Sequence, residues 1–263
     1  MTDSTQTAST ASATAQAPHK KKKKPEFFSF ENLRSLGTLA LVIFAFRWSV
    51  AAPYKVPTAS MEPTIKVGDR LIAWKLSYDL KIPFTDYALL QWAKPKRGDI
   101  IVFKYPGNPD IDYVKRIVAI EGDEVQIIDD VLYLNGEAQK RIDHNQDRSV
   151  LDDIEDSKES KILFRENLSS KEHWVIQNIP SKRNYTAKNW PSVSSETHKI
   201  PPGSVFCMGD NRDNSNDSRV WGEVPLSYVR GKALFVLWSM YDRDDSLLPR
   251  MRWYRFGRML DSM

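Results

Sequence analysis

A serine held in a stiff loop and a lysine set among apolar neighbours can together perform acyl transfer, and this chain holds one of each. Ser60 stands in "VPTASMEPTIKVGD", between Ala59 and Met61, with Pro57 and Pro63 stiffening both sides. A serine there is a helix cap or turn former, or a nucleophile if a base is at hand. None of the four histidines is placed to be that base. In "DYVKRIVAI", strand alternation sends Tyr113, Lys115 and Ile117 to one face and Val114, Arg116 and Val118 to the other. A lysine between β-branched residues is an edge-strand gatekeeper. Alternatively, once desolvated, it loses affinity for its proton and becomes a general base. The residues alone leave both readings open.

A third segment bears on the choice. "GDNRDNSNDSR", residues 209 to 219, contains three Asp, three Asn, two Arg and two Ser and no aliphatic side chain, directly after the apolar run "SVFCM". Asx and Ser side chains bond to nearby backbone, so the segment is a tight loop after a strand. Counted from Asp213 it lacks the mid-loop Gly and late Glu of a calcium-binding loop.

The elements that must position these residues follow from composition and pattern. With 263 residues, 41% of them hydrophobic, the chain can bury one sizeable core or two small ones. The single cysteine, Cys207, excludes an intrachain disulfide, and the histidines offer no zinc-ligand spacing, so no metal and no cofactor is expected. The net charge of +4 owes most to the block Lys20 to Lys24. That block lies in a tail, not on a folded face interleaved with aromatics, so no nucleic-acid partner is expected.

Residues 1 to 18 are almost wholly Thr, Ser, Ala and Gln and are expected to be disordered, as part of a polybasic tail over 1–32. Residues 33–54 follow, with "LGTLALVIFAF" at their centre. From Leu36 to Tyr54 the length is near the ~20 residues that cross a bilayer, and Arg47 is placed to snorkel beside Trp48 and Tyr54. Ser49-Val50-Ala51 also fits a small-residue cleavage site, but the preceding charged region is far too long for a signal peptide. A single retained transmembrane helix is the expectation, with Lys20 to Lys24 keeping the N-terminus cytoplasmic.

Beyond it come short β-branched runs divided by Gly, Asp and Pro: "RLIAWKL", "GDIIVFKY", "DYVKRIVAI", "DEVQIID", "SVFCMGD" and "GKALFVLWSM". These predict an all-β, mainly antiparallel catalytic domain over 55–137 and 200–263. "LYLNGE" predicts a hairpin through its Asn-Gly turn. Residues 138–199, highly charged and weakly periodic, are expected to be a β-rich inserted subdomain.

In order along the chain, "PTASMEPT", "RGDIIVF", "DYVKRIVAIEGD" and "PPGSVFCMGDNRDNSNDSRVWGEVP" resemble the successive boxes of bacterial signal peptidase I, a membrane-bound serine-lysine endopeptidase. The resemblance implies Ser60 as nucleophile and Lys115 as general base. It places the Thr58 hydroxyl beside the Ser60 N–H in an oxyanion hole, Thr standing where well-known members have Ser. It implies that Ser215 hydrogen-bonds Lys115, and that the ion pairs Asp217–Arg219 and Asp210–Arg116 hold the loop against the catalytic strand. Met61, Ile65, Tyr113 and Val114 would line a pocket for the small residue before the cut. Tyr54, Val56, Leu71 and Val102 would help form the pocket for the third residue before it. Ile82 to Trp92 corresponds to a hydrophobic surface that touches the bilayer. The implied partners are signal peptides of exported pre-proteins, phospholipid, and a nearby secretion translocon. The implied place is the bacterial inner membrane, with the catalytic domain on the periplasmic side. Self-cleaving serine-lysine repressors share the dyad, but they carry a DNA-binding helix-turn-helix where this chain carries its apolar segment.

Overall fold

A computed structural model describes residues 30–82, 85–179, 197–241 and 250–260. The tail expected over 1–32 lies outside the described residues up to residue 29. The described residues fall into two compact units, divided between Val42 and Ile43.

Helix α1, Phe30–Ser49, forms where Leu, Ala and Phe run together, with Glu31 in its first turn. The chain then changes to strand β1, Ala51–Lys55, paired with β2, Asp69–Trp74, in the register Ala51↔Trp74 to Lys55↔Arg70. This corrects the expected 33–54 helix. Pro53 and the preceding Val50 disfavour helix, and Pro53 is tolerated in β1 because β1 lies at the edge of its sheet. Tyr54 therefore pairs with Leu71 in a sheet and does not cap a membrane helix. Among the described residues no helix is long and apolar enough to cross a membrane.

The remaining strands are β3 (Asp79–Lys81), β4 (Ala88–Gln91), β5 (Ile100–Tyr105), β6 (Asn108–Ile120), β7 (Glu124–Ile128), β8 (Val131–Leu134), β9 (Glu137–Ala138), β10 (Arg141–Asp143), β11 (Lys161–Leu168), β12 (Lys171–Asn178), β13 (His198–Lys199), β14 (Ser204–Met208), β15 (Val224–Pro225), β16 (Val229–Tyr241) and β17 (Arg250–Met251). The main sheet runs β1-β2-β16-β5-β6-β14-β15, with β17 on β16. Its ladders are antiparallel throughout, so the all-β reading holds. The Asn-Gly hairpin forms as expected between β8 and β9, with Asn135 and Gly136 both at positive φ.

Strands β10, β11 and β12 make a separate three-stranded sheet within the 138–199 stretch. Residues 180–196 of that stretch are not among those described. The helix α2, Ser218–Trp221, closes the Asx-rich loop and is capped by Asp217, whose carboxylate accepts from the Arg219 N–H at 3.2 Å.

Alternation along β5 and β6 divides the core. Ile100 and Val114 join Val56, Met61, Ile65 and Leu71 in one cluster, while Ile101, Tyr113 and Ile117 join Phe103, Val205 and Cys207 in another. At about 25 cal/mol per Å² of apolar area buried, these clusters fix the strands against which the Ser60 loop packs.

Candidate active site

Ser60 lies in a single turn of 3-10 helix, Ala59–Met61, whose three residues are all buried. The turn is fastened from two directions. Met61 and Ile65 anchor it in the core. From the C-terminal segment, Arg255 is fully buried and donates to the Thr64 carbonyl at 2.9 Å and to the Asp69 carboxylate at 2.5 Å. A buried bidentate arginine holds a backbone turn far more firmly than a solvated one.

Lys115 arrives from β6, opposite Ile101 of β5, and is only 3% exposed. Its Nζ lies 2.5 Å from Ser60 Oγ and donates to the Val114 carbonyl at 3.0 Å, with the Tyr113 ring centroid 5.3 Å away. Burial, the largest influence, pushes this amine down to about 8 from 10.5, while Asp217 and Asp210 pull the other way. Lys115 is therefore not an edge-strand gatekeeper. It is a desolvated amine against a hydroxyl, and in its neutral form it can accept the serine proton. Burial pushes the neighbouring Cys207 thiol well above its ordinary range, so it competes neither as nucleophile nor as base.

Thr58 precedes the turn in extended backbone and is exposed, and its hydroxyl makes no capping bond. The Ser60 N–H lies in the first turn of a helix, where no intrahelical acceptor exists.

Both ion pairs expected around the loop are present, Arg116–Asp210 fully buried and Arg219–Asp217 with its arginine half-buried. Arg116 donates to Asp210 through Nε at 2.8 Å and Nη2 at 2.7 Å, and Thr64 Oγ1 donates to Asp210 at 2.6 Å. Arg219 donates to Asp217 through Nε and Nη2, each at 2.8 Å. Burial pushes both carboxyls up, and Arg116 and Arg219 respectively more than reverse it, leaving each below its ordinary range. Asp217 in turn accepts from the Gly209 N–H at 2.9 Å.

One expectation is corrected. Ser215 does not bond to Lys115; its buried Oγ faces Asp217, whose carboxyl it helps hold down, and stands close to Gly209. The amine has instead turned to Ser60 and to the carbonyl of its own strand.

The expected pocket residues fall into two groups. Met61, Ile65 and Leu71 are wholly buried, and Val56 and Val102 nearly so, which makes them floor and core. Tyr54, Tyr113 and Val114 are half-buried and present surface. A cleft of ≈ 340 Å³ reaches Tyr54, Ala52 and Asp112 without including Ser60. On the β3–β4 hairpin, Tyr87, Leu89, Leu90 and Trp92 are exposed, Trp92 at 54%, while Phe84 lies outside the described residues.

Sequence reasoning missed three supports. Asn211 donates its N–H to the Ser60 carbonyl at 3.1 Å and its Nδ2 to the Ala59 carbonyl at 3.2 Å. Arg255 reaches Thr64 as described. Glu166, fully buried, takes Arg212 and Arg141. Only the polar character of "GDNRD" signalled the first; the others carry no local pattern.

Comparison with known proteins decides the family. The family model for "Signal peptidase, peptidase S26" matches residues 29–238. The chain belongs to the peptidase S26 family. Curated members similar to it are signal peptidase I of Pseudomonas aeruginosa, 33% identical over 82% of this chain and 75% of the relative, and signal peptidase I of Pseudomonas fluorescens, 32% identical over the same shares. Signal peptidase I of Aquifex aeolicus is 35% identical over 76% of this chain and 81% of its own. The S26 match spans both Ser60 and Lys115 as well as the Asx-rich loop.

Proposed function

We propose that this S26 peptidase removes signal peptides from exported pre-proteins by a Ser60–Lys115 dyad, cutting after small residues. The observation that carries the reading is the buried Lys115 amine 2.5 Å from the Ser60 hydroxyl. Neutral Lys115 takes the hydroxyl proton as Oγ attacks the scissile carbonyl. The Ser60 N–H and the Thr58 hydroxyl stabilise the oxyanion. Lys115 then returns its proton to the leaving amine, and an acyl-Ser60 ester remains. A water molecule, deprotonated by the same amine, hydrolyses that ester and regenerates the enzyme. No metal or cofactor is needed for either half-reaction.

Specificity rests on size. Met61, Ile65 and Leu71, read as lying beneath the first residue before the cut, are wholly buried with Val114 packed against them, which favours a small side chain above them. Tyr54, with Val56 and Val102 beneath, serves the third residue before the cut. The exposed apolar residues of the β3–β4 hairpin support work at a bilayer surface, because a row of apolar side chains facing water marks an interaction site. The chain is read as acting at the outer face of the cytoplasmic membrane, associated with it through the N-terminal segment, within reach of the secretion translocon. The basic block Lys20 to Lys24 favours a cytoplasmic location for the N-terminus.

The test is cleavage of a pre-protein reporter with an Ala-X-Ala site by the full chain in detergent micelles. The wild-type chain should release the mature protein with its N-terminus directly after the second Ala, and Ser60→Ala should release none. Equal cleavage by both proteins would remove Ser60 from the mechanism.

A further inference from the structure

Glu166 stands in β11, far from Ser60 in sequence, yet two routes lead from its β11–β12 hairpin towards the nucleophile, the first through Glu166 itself. Its carboxylate is fully buried and accepts from Arg212 Nη1 at 3.1 Å, from Arg212 Nη2, and from Arg141 Nε at 2.8 Å. Arg212 belongs to the Asx-rich loop. Its own carbonyl accepts from Arg219 Nη2 at 2.5 Å, Arg219 holds Asp217, and Asp217 holds the Gly209 N–H.

The second route is backbone. Ile176 of β12 makes a parallel bridge to Asn211: its N–H donates to the Asp210 carbonyl at 2.9 Å, and its carbonyl accepts from the Arg212 N–H at 2.9 Å. Asn178 adds an N–H to the Asp213 carboxylate at 2.6 Å. Asn211, held between these bonds, donates to the Ser60 carbonyl. The β11–β12 hairpin is thus hydrogen-bonded to the loop that is hydrogen-bonded to Ser60.

We infer that the β11–β12 hairpin is a clamp on the catalytic loop, and that Glu166 is a positioning residue that sets Ser60 through Arg212 and Asn211. A fully buried carboxylate taking two arginines is costly to assemble and strongly directional, so it fixes the loop in one arrangement. Burial alone would push this carboxyl up; Arg212 and Arg141 instead hold it well below its ordinary range. The role is worth having because an error of about 1 Å at a nucleophile costs about 10²-fold in rate.

The inference rests on the dyad reading, and the experiment separates the two. In the reporter assay, cleavage by the wild-type chain and none by Ser60→Ala establishes the dyad first. Glu166→Gln, measured well below its melting temperature, should then lower kcat by about 10- to 100-fold with KM within about twofold, since the clamp acts on the nucleophile and not on the pockets. The double variant Glu166→Gln, Arg212→Met removes one of the two arginine charges that the single variant leaves unpaired, Arg141 being the other, and should regain part of the thermal stability without regaining kcat. Should Glu166→Gln not fold, Arg212→Lys retains the charge but loses the bidentate fork, and is expected to lower kcat at least fivefold, about 1 kcal/mol in barrier. Unchanged kcat in the folded single variant, or kcat that returns together with stability in the double variant, would overturn the clamp and leave the dyad standing.

Discussion

Replacing Lys115 with methionine is expected to lower turnover of a signal-peptide reporter by at least about 10³-fold and, in the same protein, to raise the melting temperature. Both effects come from one cause. Lys115 is desolvated, and its amine is pushed down to about 8 from 10.5. A lysine whose folded value lies below its unfolded one binds its proton less well in the native state. Stability then rises with pH between about 8 and 10.5, and below 8 the whole penalty is present. At about 1.4 kcal/mol per pKa unit the penalty at pH 7 is about 3 kcal/mol, already net of the attraction of Asp217 and Asp210. Methionine fills nearly the same volume without the charge, so a gain of about 1 to 3 kcal/mol is expected. Lys115→Arg should be equally inactive from pH 6 to 10, because guanidinium keeps its proton, but it should show no gain in stability. A methionine variant that turns over near the wild-type rate would sink the dyad. One that is inactive and less stable would show that the amine is a structural ion, not a strained base.

Gly209→Ala is expected to be nearly as damaging to turnover, with no change of charge. A Cβ at Gly209 would lie 2.3 Å from Ser215 Oγ and 2.4 Å from the Ser60 carbonyl oxygen. The Ser215 hydroxyl can rotate away, but its Cβ, 2.6 Å off, cannot, and the Ser60 carbonyl belongs to the nucleophile's own backbone. It is already engaged by the Asn211 N–H. Relief must therefore come from displacing Ser60 or the loop, and either opens the short contact to Lys115. Turnover should fall by about 10²-fold, with about 1 to 3 kcal/mol lost in stability. Adding Ser215→Gly removes one of the two clashes and should recover part of the stability while leaving turnover low. Near-wild-type kcat in Gly209→Ala would mean that the loop does not fix the nucleophile.

These two residues also show how far the sequence could be read. Ser60, Lys115 and the loop were legible because short runs carry them: a proline-flanked serine, a lysine on an alternating strand, an Asx-rich turn. The ion pairs Asp210–Arg116 and Asp217–Arg219 followed from the family resemblance and have the expected partners. The Ser215 bond did not follow, since a hydroxyl's partner depends on sub-ångström placement that no motif encodes. The end of the N-terminal helix was misplaced by several residues, because "AAPYK" is short and apolar and reads equally as the end of a helix or as an edge strand until β2 is seen to pair with it. Glu166 was illegible for a different reason. Its partner Arg212 lies 46 residues away, and a pairing across that distance leaves no periodicity to detect.

The most direct measurement is the titration of the Lys115 amine itself, followed by NMR in the full chain carrying lysine labelled at Cε, with the resonance assigned by its loss in Lys115→Met. A midpoint near 8 is expected, well below the 10.5 of an ordinary lysine, and it should match the acid limb of kcat/KM for the reporter. A midpoint near 10.5 would contradict the account, because an amine that is protonated throughout the working range cannot take the proton of Ser60.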